Sequence, residues 1–254
     1  MPKPTRAGAY LICGTPRTGS TLLCGLLRAT GVAGRPESYF RRPDEHAWAD
    51  RWRLPRGAGG SCDYRDFDYR DYVRAAIAEG STANGVFGAR VMWGTLEEMV
   101  AGLGVAHPNL AGDDLALLTT AFGPLRFVHI RREDTLAQAV SWARAEQTGH
   151  WQHGDPVAGE PRLDADQIAA LVRTVDAHNA AWHRWFADVG VRPHAVTYED
   201  LVTDMAGVLR DVLAFLGLEP PPRHVVVPGQ RQQADEVNAE WVARYRGRAG
   251  EVSG

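Results

Sequence analysis

A short apolar run that leads through a glycine-bounded loop into an amphipathic helix constrains this chain more than any other feature. The run covers residues 10–13, the loop reads Gly-Thr-Pro-Arg-Thr-Gly-Ser over 14–20, and leucines then recur on one helical face until Gly31. Further apolar runs, at 86–93, 125–130 and 192–197, alternate with helical stretches. The predicted helices lie at 69–79, 113–122, 134–147, 164–188 and 205–216, with one more that begins at Thr95 and a short one around 241–245. This alternation predicts an α/β fold with a mostly parallel sheet flanked by helices.

Size and charge narrow the possibilities further. The 254 residues suit one domain, and we expect a single domain over residues 1–254. The formal net charge of −3 argues against a general nucleic-acid binder, although it allows a local basic pocket for one small anion. The cysteines at 13, 24 and 62 have neither the number nor the spacing of a disulfide framework or a zinc site, so we expect no bound metal.

Neither a secretion signal nor a membrane span is predicted. The first apolar run covers only residues 9–12, which is shorter than the core of a signal peptide. No stretch approaches the roughly 20 apolar residues of a membrane helix. We therefore expect a soluble cytoplasmic protein.

The loop at 14–21 has the composition of an anion site. The helix that begins after it offers unpaired N–H groups and the positive end of its dipole, which favour a phosphate. Gly19 lets the backbone curl close to the oxygens, Ser20 and Thr21 add hydroxyl donors, and Arg17 adds a fixed charge. The loop is not a Walker A sequence, because no lysine follows its second glycine. The alternative is a tight strand-to-helix turn with an ordinary Ser/Thr cap, and the loop taken alone slightly favours the phosphate site.

A second basic cluster follows another predicted strand. Arg131 and Arg132 stand at the carboxyl end of the run at 125–130, where ligands bind in open α/β sheets. Ser141 lies nine residues beyond Arg132, in the following helix, so its hydroxyl can face the same pocket mouth. Alone, such an arginine pair is more often a solvated charge pair than a ligand site.

Together the two clusters resemble the segments with which sulfotransferases bind 3'-phosphoadenosine 5'-phosphosulfate (PAPS). Tyr-Glu-Asp-Leu at 198–201 resembles a third segment that follows a strand in many sulfotransferases. Among sulfotransferases, the sequence most resembles the bacterial trehalose 2-sulfotransferase family. Its matching stretches run almost from end to end, at 9–11, 17–23, 27–34, 91–93, 138–141, 144–148, 233–235 and 240–246.

This resemblance implies a P-loop NTPase-like sulfotransferase fold, PAPS as donor, PAP as its product, a small carbohydrate-like hydroxyl acceptor and a homodimer. The residues expected to bind the donor are Arg17, Thr18, Gly19, Ser20, Thr21, Arg132 and Ser141. The residues expected to bind the acceptor are Ser38, Tyr39, Arg90, Trp93 and Gln147. Residues 35–68 show no clean hydrophobic period, and we expect them to form an irregular segment on the acceptor side.

The sequence departs from the family at the catalytic base. The family has a glutamate two residues before the phenylalanine that corresponds to Phe40, whereas this chain has Ser38 there and Glu37 one position earlier. In a strand, a shift of one residue points a side chain to the opposite face. We expect Glu37 to be the base, and the alternative is a nearby histidine or carboxylate such as His46, Asp44 or Glu45. Arg17 is expected to stabilise charge during transfer, and Arg90 stands in place of the family's strand lysine.

Two other functions are the alternatives to sulfuryl transfer. A P-loop kinase-like phosphotransferase would need a lysine in the loop and an acidic metal ligand at a strand end, and the sequence offers neither. A non-catalytic nucleotide-binding protein that has kept the donor pocket and lost its base is consistent with Ser38. Separate measurements of binding and turnover distinguish these alternatives.

Overall fold

The structure, a computed structural model, describes residues 8–55, 67–151, 155–156, 158–219 and 236–251. The strands are β1 (Ala9–Gly14), β2 (Phe87–Met92), β3 (Leu125–Arg131) and β4 (His194–Thr197). The helices are α1 (Ser20–Ala29), α2 (Arg42–Arg51), α3 (Tyr69–Gly80), α4 (Trp93–Ala106), α5 (Asp114–Phe122), α6 (Thr135–Thr148), α7 (Ala165–Asp188), α8 (Tyr198–Thr203), α9 (Met205–Leu216) and α10 (Glu236–Glu251). Within these ranges, no helix has both the length and the apolar character needed to span a membrane.

The four strands form one parallel sheet in the order β2–β1–β3–β4. Every neighbouring pair is parallel, so each connection has to cross back over a face of the sheet. The helices between the strands make these crossings. The prediction of an α/β fold with a parallel sheet flanked by helices is therefore confirmed.

The central strand explains why both faces of the sheet are covered. All six residues of β1 are buried. Because alternate side chains point to opposite faces, Leu11 and Cys13 lie in one apolar core, with residues of α3, α4, α5 and α7. Tyr10 and Ile12 lie in a second core, with residues of α1 and α9. A strand that is apolar on both faces is typical of a buried parallel sheet.

The segment between α1 and α3 is more regular than its sequence suggested. We expected residues 35–68 to be irregular, but part of them forms α2, and 56–66 lie outside the described residues. Pro43 in an acidic first turn favours the start of this helix. The prediction was wrong there because the side of α2 that faces the core carries Glu45 together with only two apolar residues, Trp48 and Ala49, so no hydrophobic period marks it.

The last helix, α10, packs on α6. Its Trp241 and Val242 lie in a third apolar cluster, together with Ala139, Val140 and Ala143 of α6. Arg246 pairs with Asp134, the N-cap of α6, at 3.3 Å. The helical stretch at the end of the chain therefore supports the helix that carries Ser141.

Candidate functional site

The carboxyl ends of the strands bring the predicted donor-binding segments to one edge of the sheet. Gly14 of β1 is in register with Met92 of β2, and Arg131 of β3 is in register with Thr197 of β4. Segments that follow parallel strands meet at the same edge, which is where ligands bind in open α/β sheets. The loop after β1, Arg132 after β3 and the start of α8 therefore lie together.

The loop after β1 has two residues with a left-handed backbone. Gly19, the N-cap of α1, has a φ of 80°, and Arg17 has a φ of 67°. Such a φ is uncommon for a residue with a side chain, and these residues cluster at ligand sites. The hydroxyl of Thr18 turns inward and donates to the carbonyl of Thr15 at 2.9 Å. Since a glycine N-cap supplies no side-chain acceptor, the first N–H groups of α1 are available to an anion.

Two side chains to which the sequence gave no role hold this loop in place. Gln138 of α6 is fully buried, and its Nε2 donates to Oγ1 of Thr15 and to the carbonyl of Pro16, both at 2.7 Å. Trp182 of α7 donates its indole N–H to the carbonyl of Gly14 at 2.8 Å. In the sequence, Gln138 is a polar amide between apolar residues of a predicted helix, and this is the feature that could have marked it for a role. Trp182 lies on the apolar face of a predicted helix, and that position does not indicate a contact with the loop.

Arg17 is the cation of the loop. Its Nε–H donates to Oγ of Ser141 at 3.0 Å, and a terminal nitrogen donates to the carbonyl of Trp151. Burial, followed by the nearby positive charge of Arg132, lowers the pKa of Arg17 below its ordinary value. The arginine predicted from the loop and the serine predicted from the helix are therefore in direct contact.

Arg132 is connected to the same loop through Tyr198. The guanidinium carbon of Arg132 lies 4.4 Å from the centroid of the Tyr198 ring, a cation–π distance. The ring also packs on Gly19, where an added Cβ would come within 2.8 Å of Cδ2 of Tyr198. Glu199 accepts from the N–H of Glu133 at 3.1 Å, which fixes the turn after Arg132. In the described part of the chain, Nε of Arg132 is buried without a hydrogen-bond partner, so a ligand acceptor would satisfy it.

Glu37 belongs to an ion network between the segment after α1 and β2. Its Oε2 accepts from Arg28 at 3.0 Å, and its Oε1 accepts from Arg90 at 3.4 Å. The guanidinium of Arg90 also donates to Oγ of Ser38 at 2.9 Å and to Oγ1 of Thr21 at 2.6 Å. One arginine thus joins the carboxylate, the neighbouring serine and the helix of the anion loop.

The structure places Tyr39, a predicted acceptor residue, in the aromatic core. Its side chain is 2% exposed, and its ring centroid lies 5.1 Å from that of Trp48. The hydroxyl donates to the carbonyl of Arg35 at 2.7 Å, and burial raises its pKa. Tyr39 therefore offers no surface to an acceptor and instead supports the backbone beside Glu37 and Ser38.

The other two predicted acceptor residues differ in their surroundings. Trp93 is half-buried directly after β2, and its ring packs edge-on against Trp182 at 5.1 Å, beside the anion loop. Gln147 exchanges hydrogen bonds with the backbone of Arg162 and donates to Oε1 of Gln167 at 2.7 Å. Trp93 thus packs on the tryptophan that bonds the loop, whereas the amide of Gln147 ties α6 to the start of α7.

Two sequence comparisons identify relatives of this chain. Residues 9–248 match the family model described as Stf0 sulphotransferase. A trehalose 2-sulfotransferase of Mycobacterium tuberculosis is 34% identical, with 94% of this chain and 95% of the relative covered. A trehalose 2-sulfotransferase of Mycolicibacterium smegmatis is also 34% identical, with 94% of each chain covered. The family match includes the anion loop, β3, α6 and most of α10.

Solved structures with a similar arrangement include two other sulfotransferase domains. The domain from the Synechococcus PCC 7002 olefin synthase is 18% identical, with 96% of this chain and 90% of that domain covered and a TM-score of 0.42. The domain from the curacin biosynthetic pathway is 16% identical, with 86% and 77% covered and a TM-score of 0.44. The relationship of this chain to sulfotransferases is therefore established by the sequence matches.

Proposed function

The chain belongs to the Stf0 sulphotransferase family, and from that premise we propose that it moves a sulfuryl group from PAPS to a hydroxyl of a small carbohydrate. The family makes the chain a sulfotransferase.

The contact between the anion loop and α6 is the observation that carries the donor assignment. Arg17 donates a hydrogen bond to Ser141. Arg132 makes a cation–π contact with the ring of Tyr198, which packs against Gly19. A nucleotide with anionic groups at both its 5' and 3' ends fits this pair of cationic groups. The buried Nε–H of Arg132 and the N–H groups at the start of α1 are donors that such a ligand would satisfy. We propose that the loop binds the 5'-phosphosulfate and that Arg132 and Ser141 bind the 3'-phosphate.

The proposed reaction is an in-line transfer. PAPS supplies a sulfuryl group whose bond to the bridging oxygen breaks as the acceptor oxygen bonds to sulfur. Arg17 and the N–H groups of the loop stabilise the charge that the leaving oxygen gains, which is typically the largest catalytic contribution. A sulfuryl group carries less negative charge than a phosphoryl group, so we propose that these donors suffice without a metal ion.

We propose Glu37 as the base that takes the proton from the acceptor hydroxyl. Both of its oxygens accept from arginines, so the acceptor hydroxyl would either use a remaining lone pair of the carboxylate or replace one of these arginines. Arg28 is the easier partner to exchange, because its side chain is 48% exposed, against 17% for Arg90. Arg90 would then keep Glu37 beside Thr21 and the donor loop.

The acceptor would lie between this network and Trp93. Ser38 and Arg90 offer polar groups, and the half-buried ring of Trp93 offers a flat apolar surface of the kind that a sugar ring packs against. Trehalose is the first acceptor to test, because two relatives are named for its sulfation. The family resemblance also implies a homodimer, which analytical ultracentrifugation of the full chain would test.

Thermal unfolding with two nucleotides tests the proposed donor. We expect 3',5'-ADP to raise the melting temperature more than ATP with Mg²⁺ does, because ATP lacks a 3'-phosphate. A ligand present at 100 times its Kd stabilises the folded state by about 2.7 kcal/mol. Equal or greater stabilisation by ATP would contradict PAPS as the donor and favour a kinase-like phosphotransferase.

A further inference from the structure

Arg144 lies one helical turn beyond Ser141 on α6. Residues three apart on a helix share a face, with Cβ atoms about 5–6 Å apart. Ser141 is on the side of α6 that meets Arg17, because its hydroxyl accepts from that guanidinium at 3.0 Å. The half-buried side chain of Arg144 therefore starts from the same side of the helix.

The last helix fixes the position of Arg144. One of its terminal nitrogens donates to Oδ1 of Asn238 at 2.7 Å. Asn238 is in the first turn of α10, which is docked on α6 through Trp241 and Val242. This hydrogen bond holds one end of the guanidinium against the first turn of α10.

The charges around Arg17 indicate what kind of ligand the cluster suits. Burial is the first cause of the lowered pKa of Arg17, and the positive charges of Arg132 and Arg144 also lower it, against the opposing influence of Tyr198 and Asp155. Arg132 and Arg144 both repel the charge of Arg17, and an anion bound beside these guanidiniums would offset that repulsion. A phosphate monoester carries a charge of about −1.5 to −2 near pH 7, which matches such a cluster better than a single negative charge does.

We propose that Arg144 is a third cationic residue of the donor site and sets its selectivity for nucleotides that carry a 3'-phosphate. This inference rests on the proposed use of PAPS. It assigns Arg144 to the 3' side because Arg144 shares a helix face with Ser141, the proposed 3'-phosphate ligand. The 5' side is instead served by the loop after β1 and the N-terminus of α1.

Calorimetry of the full chain with 3',5'-ADP and with 5'-AMP tests the proposal, because the two nucleotides differ only in the 3'-phosphate. Arg144→Gln should lower the affinity for 3',5'-ADP by at least about tenfold, the lower range for the loss of a hydrogen bond to a charged group. The affinity for 5'-AMP should fall by less than about threefold. Arg144→Lys should recover most of the loss. Arg144→Met, which keeps the apolar stem, is a second neutral variant in case the glutamine variant does not fold.

Two controls separate a role in charge from a role in helix docking. Asn238→Ala removes the anchor and keeps the Arg144 charge, and Arg246→Gln removes another arginine that bonds α10 to α6. Each should change the affinity for 3',5'-ADP by less than about threefold, far below the expected effect at Arg144. If Asn238→Ala reproduces the whole loss, Arg144 acts through helix docking and the proposal is wrong.

The remaining outcomes are equally decisive. A folded Arg144→Gln or Arg144→Met chain whose affinity for 3',5'-ADP stays within threefold of wild type overturns the inference, as does an equal loss for both nucleotides. A wild-type chain that binds 3',5'-ADP no better than 5'-AMP contradicts the proposed donor itself. In that case this inference falls with it, whereas the first two results leave the proposed donor standing.

Discussion

Arg17 donates its Nε–H to Oγ of Ser141 across 3.0 Å, although the two residues are 124 positions apart in the chain. The bond joins the loop after β1 to the helix after β3. Each residue was singled out by the pattern of its own segment, and their contact supports treating both segments as one donor site. Arg17 also donates to the carbonyl of Trp151, so a bound anion would exchange protein partners of this guanidinium for its own oxygens.

Removal of the Arg132 side chain should weaken donor binding. Arg132→Ala is expected to lower the affinity for 3',5'-ADP by at least about 1.5 kcal/mol, because a hydrogen bond to a charged group is lost. Arg131→Ala is the matched control, since that neighbouring side chain is exposed and its ion pair with Glu133 is long, at 3.8 Å. Calorimetry measures both. Unchanged affinity in Arg132→Ala and in Arg17→Ala would remove both arginines from the donor site.

A methyl group at Gly19 should disturb the loop more than its backbone conformation alone explains. An added Cβ would lie 2.8 Å from Cδ2 of Tyr198, on a residue with a φ of 80°. Gly190 has a similar φ of 66° with no atom within 4 Å of an added Cβ, so Gly190→Ala reports the backbone cost alone, about 1 kcal/mol. We expect Gly19→Ala to lose clearly more stability than Gly190→Ala in urea unfolding, and to have a lower affinity for 3',5'-ADP. Equal losses of stability in the two variants would show that the Tyr198 ring moves aside at no measurable cost.

The proposed base predicts a change in turnover without a change in donor affinity. Glu37→Gln should lower the transfer rate by at least about 100-fold, the lower range for general-base catalysis, and leave 3',5'-ADP binding nearly unchanged. Arg28→Gln is the control, because it removes the exposed partner of Glu37 and keeps the carboxylate. Its rate should stay within about tenfold of wild type, below the expected effect at Glu37. Near-native turnover of Glu37→Gln would exclude this residue as the base.

Glu45 should make the stability of the fold depend on pH. This carboxyl is 4% exposed and accepts from the hydroxyl of Tyr69 at 3.0 Å, and burial raises its pKa from 4.5 to about 7. Arg42 opposes this increase, whereas Glu98 adds to it. Between these two pH values the folded chain holds a proton that the unfolded chain has released, so the free energy of unfolding falls as the pH rises.

Glu45→Gln should remove this dependence. The variant and the wild type should have similar stability near pH 4.5, and the variant should be more stable above pH 7, by at most about 3 kcal/mol. Urea unfolding at several pH values measures the difference, in which the titration of other groups cancels. A difference that stays constant from pH 4.5 to 7.5 would contradict the buried, protonated state.

Local sequence signals predicted most of the helix and strand positions. Asp113, Asp134 and Asp164 each accept from the N–H three residues ahead, and the helices begin directly after them, within one residue of the prediction. Two short helices, α2 and α8, were missed. The first buries a glutamate instead of an apolar stripe, and the second has six residues, too few to show a helical period.

The site was predicted in part for the same reason. Arg17, Arg132 and Ser141 follow strand ends, and the parallel sheet brings strand ends together. The bonds from Gln138 and Trp182 to the loop connect residues 122 to 168 positions apart, and no local pattern reports such contacts. Tyr39 was misplaced because a tyrosine near a family motif looks the same in sequence whether it faces a ligand or the core.

Transfer itself is the most direct test of the proposed activity. Purified chain would be incubated with PAPS and trehalose, and with a panel of other small carbohydrates, and both products would be quantified by mass spectrometry. We expect a sulfated sugar and PAP in equal amounts from the wild type, and neither above background from Arg17→Ala. A wild-type chain that binds 3',5'-ADP tightly but yields no sulfated sugar with any member of the panel would contradict sulfuryl transfer to a carbohydrate hydroxyl.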